Sequence, residues 1–288
     1  MTTVEITYRY GDPHSPVRPR PAHADAALTR LDDGNRAFAG LLEGLAADSG
    51  SVRSIIDVDP SDLGLLAGQQ GSPKHRPFAA VLGCSDARVP IELIFNEGPN
   101  DLFVVRVAGN GLGDDVLGSL RYAIDHLRAS LRLVVVLGHS GCGAISAAVD
   151  TFLEPAGYLP LAMNHALRSI LDRQLIVVQA TARRLTGAFG ADVTQHRYYR
   201  EALIEASIVT NAALAAYTVQ QELRELAPQE LHAVYGVYLL QSRKVWTPTD
   251  NAGRTMGLAE PPKDPAGFLK LGQAIVECDR IVSLLQSG

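Results

Sequence analysis

Cysteine is scarce in this sequence, with three residues among 288. Three thiols cannot form a disulfide framework, so a disulfide-stabilised secreted scaffold is excluded and a reducing compartment is favoured. Long apolar runs are also lacking, since none approaches the roughly 18 residues that cross a bilayer. The opening Met1–Glu5 lacks the basic and then apolar order of a signal peptide. We therefore expect a cytoplasmic protein without a membrane partner.

Basic residues are outnumbered, with 26 Lys and Arg against 31 Asp and Glu, which gives a net charge of −5. Nucleic acids and anionic membrane surfaces are recognised mainly through clustered positive charge. We therefore expect no nucleic-acid partner. The 47% hydrophobic and 20% charged residues are typical of a globular protein with an ample core.

Three parts can be distinguished along the chain. Residues 1–77 combine a proline-rich extended arm, a helix that begins near His23, and a polar loop with one short helix. Residues 78–247 are expected to form one α/β domain that contains the candidate site residues, and residues 248–288 a loop and a C-terminal helix that contains Cys278. In the first part, apolar residues at helical spacing form one face. These residues are Leu28, Leu31, Phe38, Leu41, Leu42 and Leu45.

The central part alternates strands and helices in the βαβ manner. Its first three strands are largely continuous apolar runs rich in valine, as expected of parallel strands whose two faces are both covered by helices. The strands are predicted at about 78–83, 102–107, 133–138 and 231–238, with a short fifth strand at 244–246. Two long helical patterns, at about 161–186 and 198–226, precede the fourth strand. The sequence therefore predicts an α/β fold.

Two motifs follow directly after two of these strands: Cys84–Arg88 (Cys-Ser-Asp-Ala-Arg) and His139–Gly143 (His-Ser-Gly-Cys-Gly). If the strands are neighbours, two thiols and an imidazole converge at the carboxyl edge of the sheet, where open α/β sheets bind ligands. Thiolates and imidazole favour zinc over magnesium or calcium, and three protein ligands leave one tetrahedral position for water or substrate. The candidate zinc ligands are Cys84, His139 and Cys142.

Asp86 and Arg88 admit two states of this site. Asp86 can bind the metal as a fourth ligand and close the site, which is also how a purely structural zinc would be held. Alternatively, Asp86 turns away and accepts a hydrogen bond from zinc-bound hydroxide. Arg88 is suited to hold the carboxylate through a bidentate pair, which would lower the pKa of Asp86. The sequence leaves both states open.

Two other chemistries use only part of these residues. Gly138–Cys142 is similar to the G-x-S-x-G nucleophile elbow of serine hydrolases, but Cys142 replaces its last glycine. Cys142 can also be imagined as a catalytic thiol at a helix start, with His139 as its base. Neither chemistry explains Cys84, so metal binding accounts for more of the pattern.

In combination, these motifs resemble those of the β-class carbonic anhydrases. The resemblance implies that Cys84, His139 and Cys142 bind zinc and that Asp86 and Arg88 form a catalytic dyad. The matching segments, in the order and spacing of the family, are Cys84–Pro90, Asp101–Arg106, Ala108–Asn110 and Gly138–Gly143.

The same resemblance implies an architecture and an assembly. It predicts four parallel strands with an added antiparallel edge strand, flanked by helices. It predicts a homodimer or homotetramer in which the N-terminal arm and helix pack on a partner subunit. The segment at about 151–200 is longer than its equivalent in most relatives.

The activity that the resemblance implies is the zinc-dependent, reversible hydration of carbon dioxide to bicarbonate and a proton, by attack of zinc-bound hydroxide. Because two thiolates neutralise the ion's charge, we expect activity to rise above neutral pH. Two alternatives stay open. One is a related zinc hydrolase that acts on carbon disulfide or carbonyl sulfide, and the other is a catalytically weak relative that binds zinc or bicarbonate.

Overall fold

The computed structural model describes residues 3–11, 18–41, 43, 51–66, 68, 70–226, 231–248 and 257–286. The strands are β1 (Thr3–Tyr10), β2 (Ser51–Val58), β3 (Ala79–Gly83), β4 (Leu102–Arg106), β5 (Leu133–His139), β6 (His232–Tyr238) and β7 (Val245–Trp246). The helices are α1 (Ala24–Gly40), α2 (Ile91–Ile94), α3 (Asp114–Leu127), α4 (Gly143–Leu153), α5 (Tyr158–Ala162), α6 (His165–Phe189), α7 (Tyr199–Leu226), α8 (Pro265–Glu277) and α9 (Asp279–Gln286).

A five-stranded sheet forms the centre of the fold, in the order β4-β3-β5-β6-β7. The first four strands are parallel, and the two-residue β7 pairs antiparallel to β6. The predicted α/β fold and its antiparallel edge strand are therefore confirmed. Each strand predicted for this sheet agrees with the observed strand to within one residue at either end.

Helices cover both faces of the sheet, because its side chains alternate between two apolar layers. Leu82 and Val136 belong to the larger layer, which includes residues of α3, α4, α6 and α7. Val81 and Val135 belong to the smaller layer, which includes residues of α1 and α2. All four side chains are fully buried, and each such burial contributes about 1.5–3 kcal/mol. A one-residue slip would exchange the two layers, so the core holds the register of the strands.

α7 is a core helix. Its stretch Tyr199–Arg224 is long and apolar enough to cross a membrane by length and composition alone, but 72% of the apolar window is buried inside the protein. Ala202, Ala206 and Ala213 on this helix have no exposed surface and belong to the larger apolar layer. The small side chains allow α7 to approach β5 and β6 closely.

The segment expected to be a loop contains a strand. β2 pairs in parallel with β1, which lies in the arm expected to be extended. β2 escapes sequence-based detection because most of its residues are at least partly exposed and Ser, Arg and Asp interrupt its apolar residues. The short helix expected in this segment is the 3-10 helix Pro60–Leu63.

α1 begins one residue after His23, close to its predicted start. It buries Ala27 and Leu31 in the smaller apolar layer of its own chain. Leu42 and Leu45, which extend the predicted apolar face, lie outside the described residues. Packing of this helix on a partner subunit stays a prediction.

Three predicted helices differ in extent from the observed ones. The helix expected after Pro90 is the single turn α2. The first long helical pattern is divided into α5 and α6, and the C-terminal helix is divided into α8 and α9 at Cys278, whose backbone is extended. The division of the chain into 1–77, 78–247 and 248–288 stays a prediction.

A buried ion cluster joins the N-terminal arm and α1 to the loop that precedes β4. Glu97 is fully buried, and its Oε1 accepts a hydrogen bond from Nε of Arg30 at 2.9 Å. Arg18 Nη2 lies 3.6 Å from Glu97 Oε2, and Asp101 Oδ2 lies 3.3 Å from Arg30 Nη2. Burial raises the pKa of Glu97 to about 7, although Arg30 and Arg18 oppose the rise. Arg30 is therefore the main partner that compensates this buried carboxylate.

Replacing Arg30 by Met should lower the free energy of unfolding by about 3 kcal/mol at pH 8, because Glu97 loses its hydrogen-bonded partner. Urea denaturation measures this loss. The double variant Arg30→Met/Glu97→Gln removes the carboxylate charge as well and should recover most of the stability. If it does not, the remaining loss lies in the other contacts of Arg30, which are the ion pair with Asp101 and the packing over the Phe78 ring, 4.5 Å from its centre.

The same cluster makes stability depend on pH. The pKa of Glu97 is about 7 in the folded chain against an ordinary value of 4.5, so the folded state binds this proton more tightly. The stabilisation is fully present below pH 4.5 and is lost as the pH rises through 7. Between pH 4.5 and 8, wild type should therefore lose about 3 kcal/mol relative to Glu97→Gln. A difference that stays constant over this range would contradict the assignment.

Candidate metal centre

The carboxyl ends of β3 and β5 meet at one edge of the sheet. The two strands are parallel neighbours, with Gly83 opposite Leu137. Cys84 follows β3, His139 ends β5, and Cys142 immediately precedes α4. One ligand atom from each of these three buried residues lies within 4.8 Å of the other two. The fold thus brings together the three side chains that the sequence singled out as ligands.

A tight turn between β5 and α4 holds two of these ligands. Gly141 adopts a φ of 63°, which residues other than glycine disfavour. Its N–H donates to Oε1 of Glu205 on α7 at 3.0 Å, and Oε2 of Glu205 pairs with Nη2 of Arg280 on α9 at 2.7 Å. Glu205 on α7 and Arg280 on α9 therefore hold the turn in place.

His139 is fully buried, and the hydrogen bond of its ring suits a metal ligand. Nδ1–H donates to the carbonyl oxygen of Ser140 at 3.1 Å, which leaves a lone pair on Nε2. Among the described residues, Nε2 has no hydrogen-bond partner. A buried polar atom without a partner costs about 1–3 kcal/mol. Coordination of a metal ion would satisfy this nitrogen.

The two thiols perturb each other's protonation. A hydrogen bond from Cys142 lowers the pKa of Cys84, and His139 and the N–H groups of Asp86 and Gly109 lower it further against the effect of burial. The same contact, together with burial, raises the pKa of Cys142. A divalent ion would favour the deprotonated form of both sulfurs, since metals bind the thiolate form.

The Asp86 carboxylate lies beside this cluster and is held by Arg88. Oδ1 accepts hydrogen bonds from the backbone N–H and from Nε of Arg88 at 2.9 and 3.0 Å, and Oδ2 accepts one from Nη2 at 2.7 Å. These bonds hold the pKa of Asp86 well below its ordinary value. Oδ2 is 3.9 Å from Nε2 of His139, but Asp86 is not part of the three-ligand cluster. Arg88, rather than the ligand cluster, engages this carboxylate here.

Two backbone contacts of the first motif were not recognised from the sequence. Arg106, the last residue of β4, donates from Nε to the carbonyl oxygen of Cys84 at 3.0 Å and from Nη2 to that of Asp86 at 2.5 Å. The N–H of Gly109 donates to Sγ of Cys84 at 3.4 Å. Arg106 and Gly109 lie in the segments that resemble the β-class carbonic anhydrases, and this resemblance was the signal that could have identified them.

Two side-chain amides were also missed. Gln174 on α6 and Asn211 on α7 both donate to the carbonyl oxygen of Gly109. Their only signal in the sequence is an amide residue within a helical pattern. Such a residue does not indicate which part of the chain it contacts.

The geometry disfavours the two nucleophile readings. The Ser140 hydroxyl accepts a hydrogen bond from the N–H of Leu240 at 3.0 Å, and within the described ranges no histidine ring contacts it as a base would. Cys142 lies in one cluster with Cys84 and His139, so a mechanism that uses Cys142 as the nucleophile leaves the second buried thiol beside it unexplained.

Comparison with known proteins gives a match over much of the chain. A family model described as carbonic anhydrase matches residues 79–239, which is more than half of the 288 residues. Carbonic anhydrase 2 of Mycobacterium tuberculosis is 41% identical over 111 residues, which cover 38% of this chain and 50% of that protein. A carbonic anhydrase of Mycolicibacterium smegmatis is 42% identical over 100 residues, with coverages of 34% and 48%. The chain spans about half the length of these curated relatives.

Solved structures were compared in the same way. The β-carbonic anhydrase CcaA is 22% identical, with a TM-score of 0.45, over 64% of this chain and 85% of its own. Two tetrameric β-carbonic anhydrases of Sordaria macrospora give 18% identity and a TM-score of 0.45, over 64% of this chain and 82% of the matched chain. On the extent of the family match, the chain belongs to the β-carbonic anhydrase family.

Proposed function

We propose that this protein catalyses the zinc-dependent, reversible hydration of carbon dioxide to bicarbonate and a proton. The observation that carries the proposal is the buried cluster of Cys84, His139 and Cys142 beside the Asp86–Arg88 pair. The ligands provide a metal position, and the pair provides an ionised carboxylate 3.9 Å from the imidazole nitrogen.

The donor set fits zinc. Two thiols and a neutral imidazole are soft to intermediate ligands, and they suit zinc better than magnesium or calcium. The orphaned Nε2 of His139 is a feature that a divalent ion would resolve. Three ligands leave a fourth tetrahedral position open.

When bound, zinc supplies Lewis acidity, which makes water a nucleophile at near-neutral pH. The chain's own contribution is to orient that nucleophile. Asp86 is ionised and can only accept hydrogen bonds, so it selects an O–H group and turns a lone pair of that oxygen toward the carbon of carbon dioxide. Arg88 keeps this carboxylate ionised and in place. The proton released by hydration passes to buffer.

A metal titration tests the ligand set. Metal-free protein should bind one zinc ion per chain, and Cys142→Ser should lose it, because a hydroxyl replaces a thiolate ligand. Cys278→Ser is the matched control, since Cys278 lies at the junction of α8 and α9 and is not part of the cluster. Equal zinc content in all three proteins would contradict the proposed ligands. Elemental analysis after dialysis measures it.

A stopped-flow assay of carbon dioxide hydration tests the role of Asp86. Asp86→Asn should retain zinc but lose about 100-fold or more in kcat/KM, because an amide can donate a hydrogen bond and does not select an O–H donor. Asp150→Asn is the matched control. Asp150 accepts two hydrogen bonds from Arg200 in the same bidentate way, at 2.6 and 2.8 Å. Its replacement should leave kcat/KM at the wild-type value.

Other outcomes identify the alternatives. Loss of zinc from Asp86→Asn would make this residue a fourth ligand. Faster release of sulfide from carbon disulfide or carbonyl sulfide would favour a related zinc hydrolase. A zinc-loaded wild type that turns over none of these substrates would contradict the enzymatic proposal and favour a binding protein.

We also propose that the protein is cytoplasmic and forms a homodimer or homotetramer. Free cysteines favour a reducing compartment. Several large apolar side chains are strongly exposed in the single chain, which favours burial against further copies. Examples are Leu159, Met163, Ile176 and Leu269, with exposures of 71, 89, 69 and 58%. Light scattering after size exclusion should give twice or four times the chain mass, and a monomer would contradict the proposal.

A further inference from the structure

Two helical amides converge on one backbone carbonyl beside the candidate metal centre. Nε2 of Gln174 on α6 lies 3.3 Å from the carbonyl oxygen of Gly109, and Nδ2 of Asn211 on α7 lies 3.0 Å from it. Both side chains are buried, with exposures of 1 and 8%. The N–H of the same glycine donates to Sγ of Cys84 at 3.4 Å. A chain of hydrogen bonds therefore links α6 and α7 to a ligand sulfur.

The position of Gly109 is tightly constrained. Its φ of 65° is in the left-handed region, and a Cβ there would lie 3.0 Å from Cβ of Ala144 and 3.1 Å from Nε2 of Gln174. The orientation of the Gln174 amide follows from chemistry, since a carbonyl oxygen accepts hydrogen bonds and must face the NH2 group. Gln174 therefore both packs against Gly109 and bonds to it.

Fold stability alone does not favour glutamine at position 174. Its Oε1 is buried and has no hydrogen-bond partner in the described part of the chain. Leaving such an atom without a partner costs at least as much free energy as one neutral hydrogen bond contributes. Methionine has a similar shape and would fill the space without this cost. The amide at position 174 is therefore better explained by its hydrogen bond to the Gly109 carbonyl oxygen than by packing.

We propose that Gln174 and Asn211 are positioning residues of the metal centre. They orient Gly109 so that its N–H stays bonded to the Cys84 sulfur, and they thereby limit the charge that this sulfur donates to the metal. The inference rests on the proposed metal centre. Groups that hydrogen-bond to ligands tune the metal as well as orient the ligands. The proposal also gives a role to α6, which lies in the segment at about 151–200 that is expected to be longer than in most relatives.

Two spectroscopic readouts report this hydrogen bond without turnover. In the Co²⁺-loaded protein, Gln174→Met and, separately, Asn211→Leu should move the thiolate-to-metal charge-transfer absorption to longer wavelength, because a sulfur that loses an N–H bond donates more charge. In ¹¹³Cd-loaded protein labelled with ¹⁵N, wild type should show scalar coupling between cadmium and the Gly109 amide proton across the Cys84 sulfur. Both variants should reduce or lose this coupling.

Thr181→Val is the matched control. Thr181 is 5% exposed on α6, and its hydroxyl donates to the carbonyl oxygen of Val177 at 2.8 Å rather than to Gly109. This variant removes a buried polar group from the same helix, and both readouts should keep their wild-type values. The same shift in Thr181→Val would assign the effect to a loosened helix and overturn the proposal.

Two further outcomes would overturn it. Folded Gln174→Met and Asn211→Leu proteins with wild-type absorption and coupling would show that the amides do not position Gly109. Failure of both variants to fold would assign the amides to the fold alone. Neither readout requires catalysis. A metal-loaded protein that does not hydrate carbon dioxide would therefore contradict the proposed function, and the two spectroscopic readouts would still test the role of Gln174 and Asn211.

Discussion

Parallel pairing of β3 with β5 places Cys84 beside the turn that carries His139 and Cys142, and the candidate site exists only in this register. The register is held by the apolar layers on the two faces of the sheet, where neighbouring residues of each strand point in opposite directions. A slip of one residue would move the ligands along the edge and turn apolar side chains into the wrong layer. The core therefore determines the geometry of the metal centre.

Compensation of buried charge is the second constraint on this molecule. The Cys84 sulfur receives a hydrogen bond from the N–H of Gly109, and Asp86 receives three from Arg88. Outside the candidate site, the carboxylate of Glu97 accepts a hydrogen bond from Arg30. For Asp86 the bonds from Arg88 outweigh burial and lower the pKa, whereas for Glu97 burial outweighs Arg30 and raises it. Rigid donors around the ligands thus serve both the fold and the chemistry.

The parts of the fold that could be predicted are those with strong local patterns. Short apolar runs located the five strands of the main sheet to within one residue, and soft ligands directly after two of them indicated the metal centre. β2 was missed because most of its residues are at least partly exposed and polar residues interrupt its apolar ones. Gln174 and Asn211 were missed because they lie 65 and 102 residues, respectively, from Gly109, which they contact. No local pattern encodes such contacts.

The sequence by itself determined which segments are buried strands and which ligand types follow them. These properties depend on side-chain hydrophobicity and donor chemistry, which are local. Only the tertiary structure decided that β3 lies between β4 and β5, that Arg88 holds Asp86 beside the cluster, and that α6 and α7 reach the loop after β4. The physical reason is that strand order and hydrogen bonds between distant segments follow from how whole elements pack, and this is a property of the assembled core.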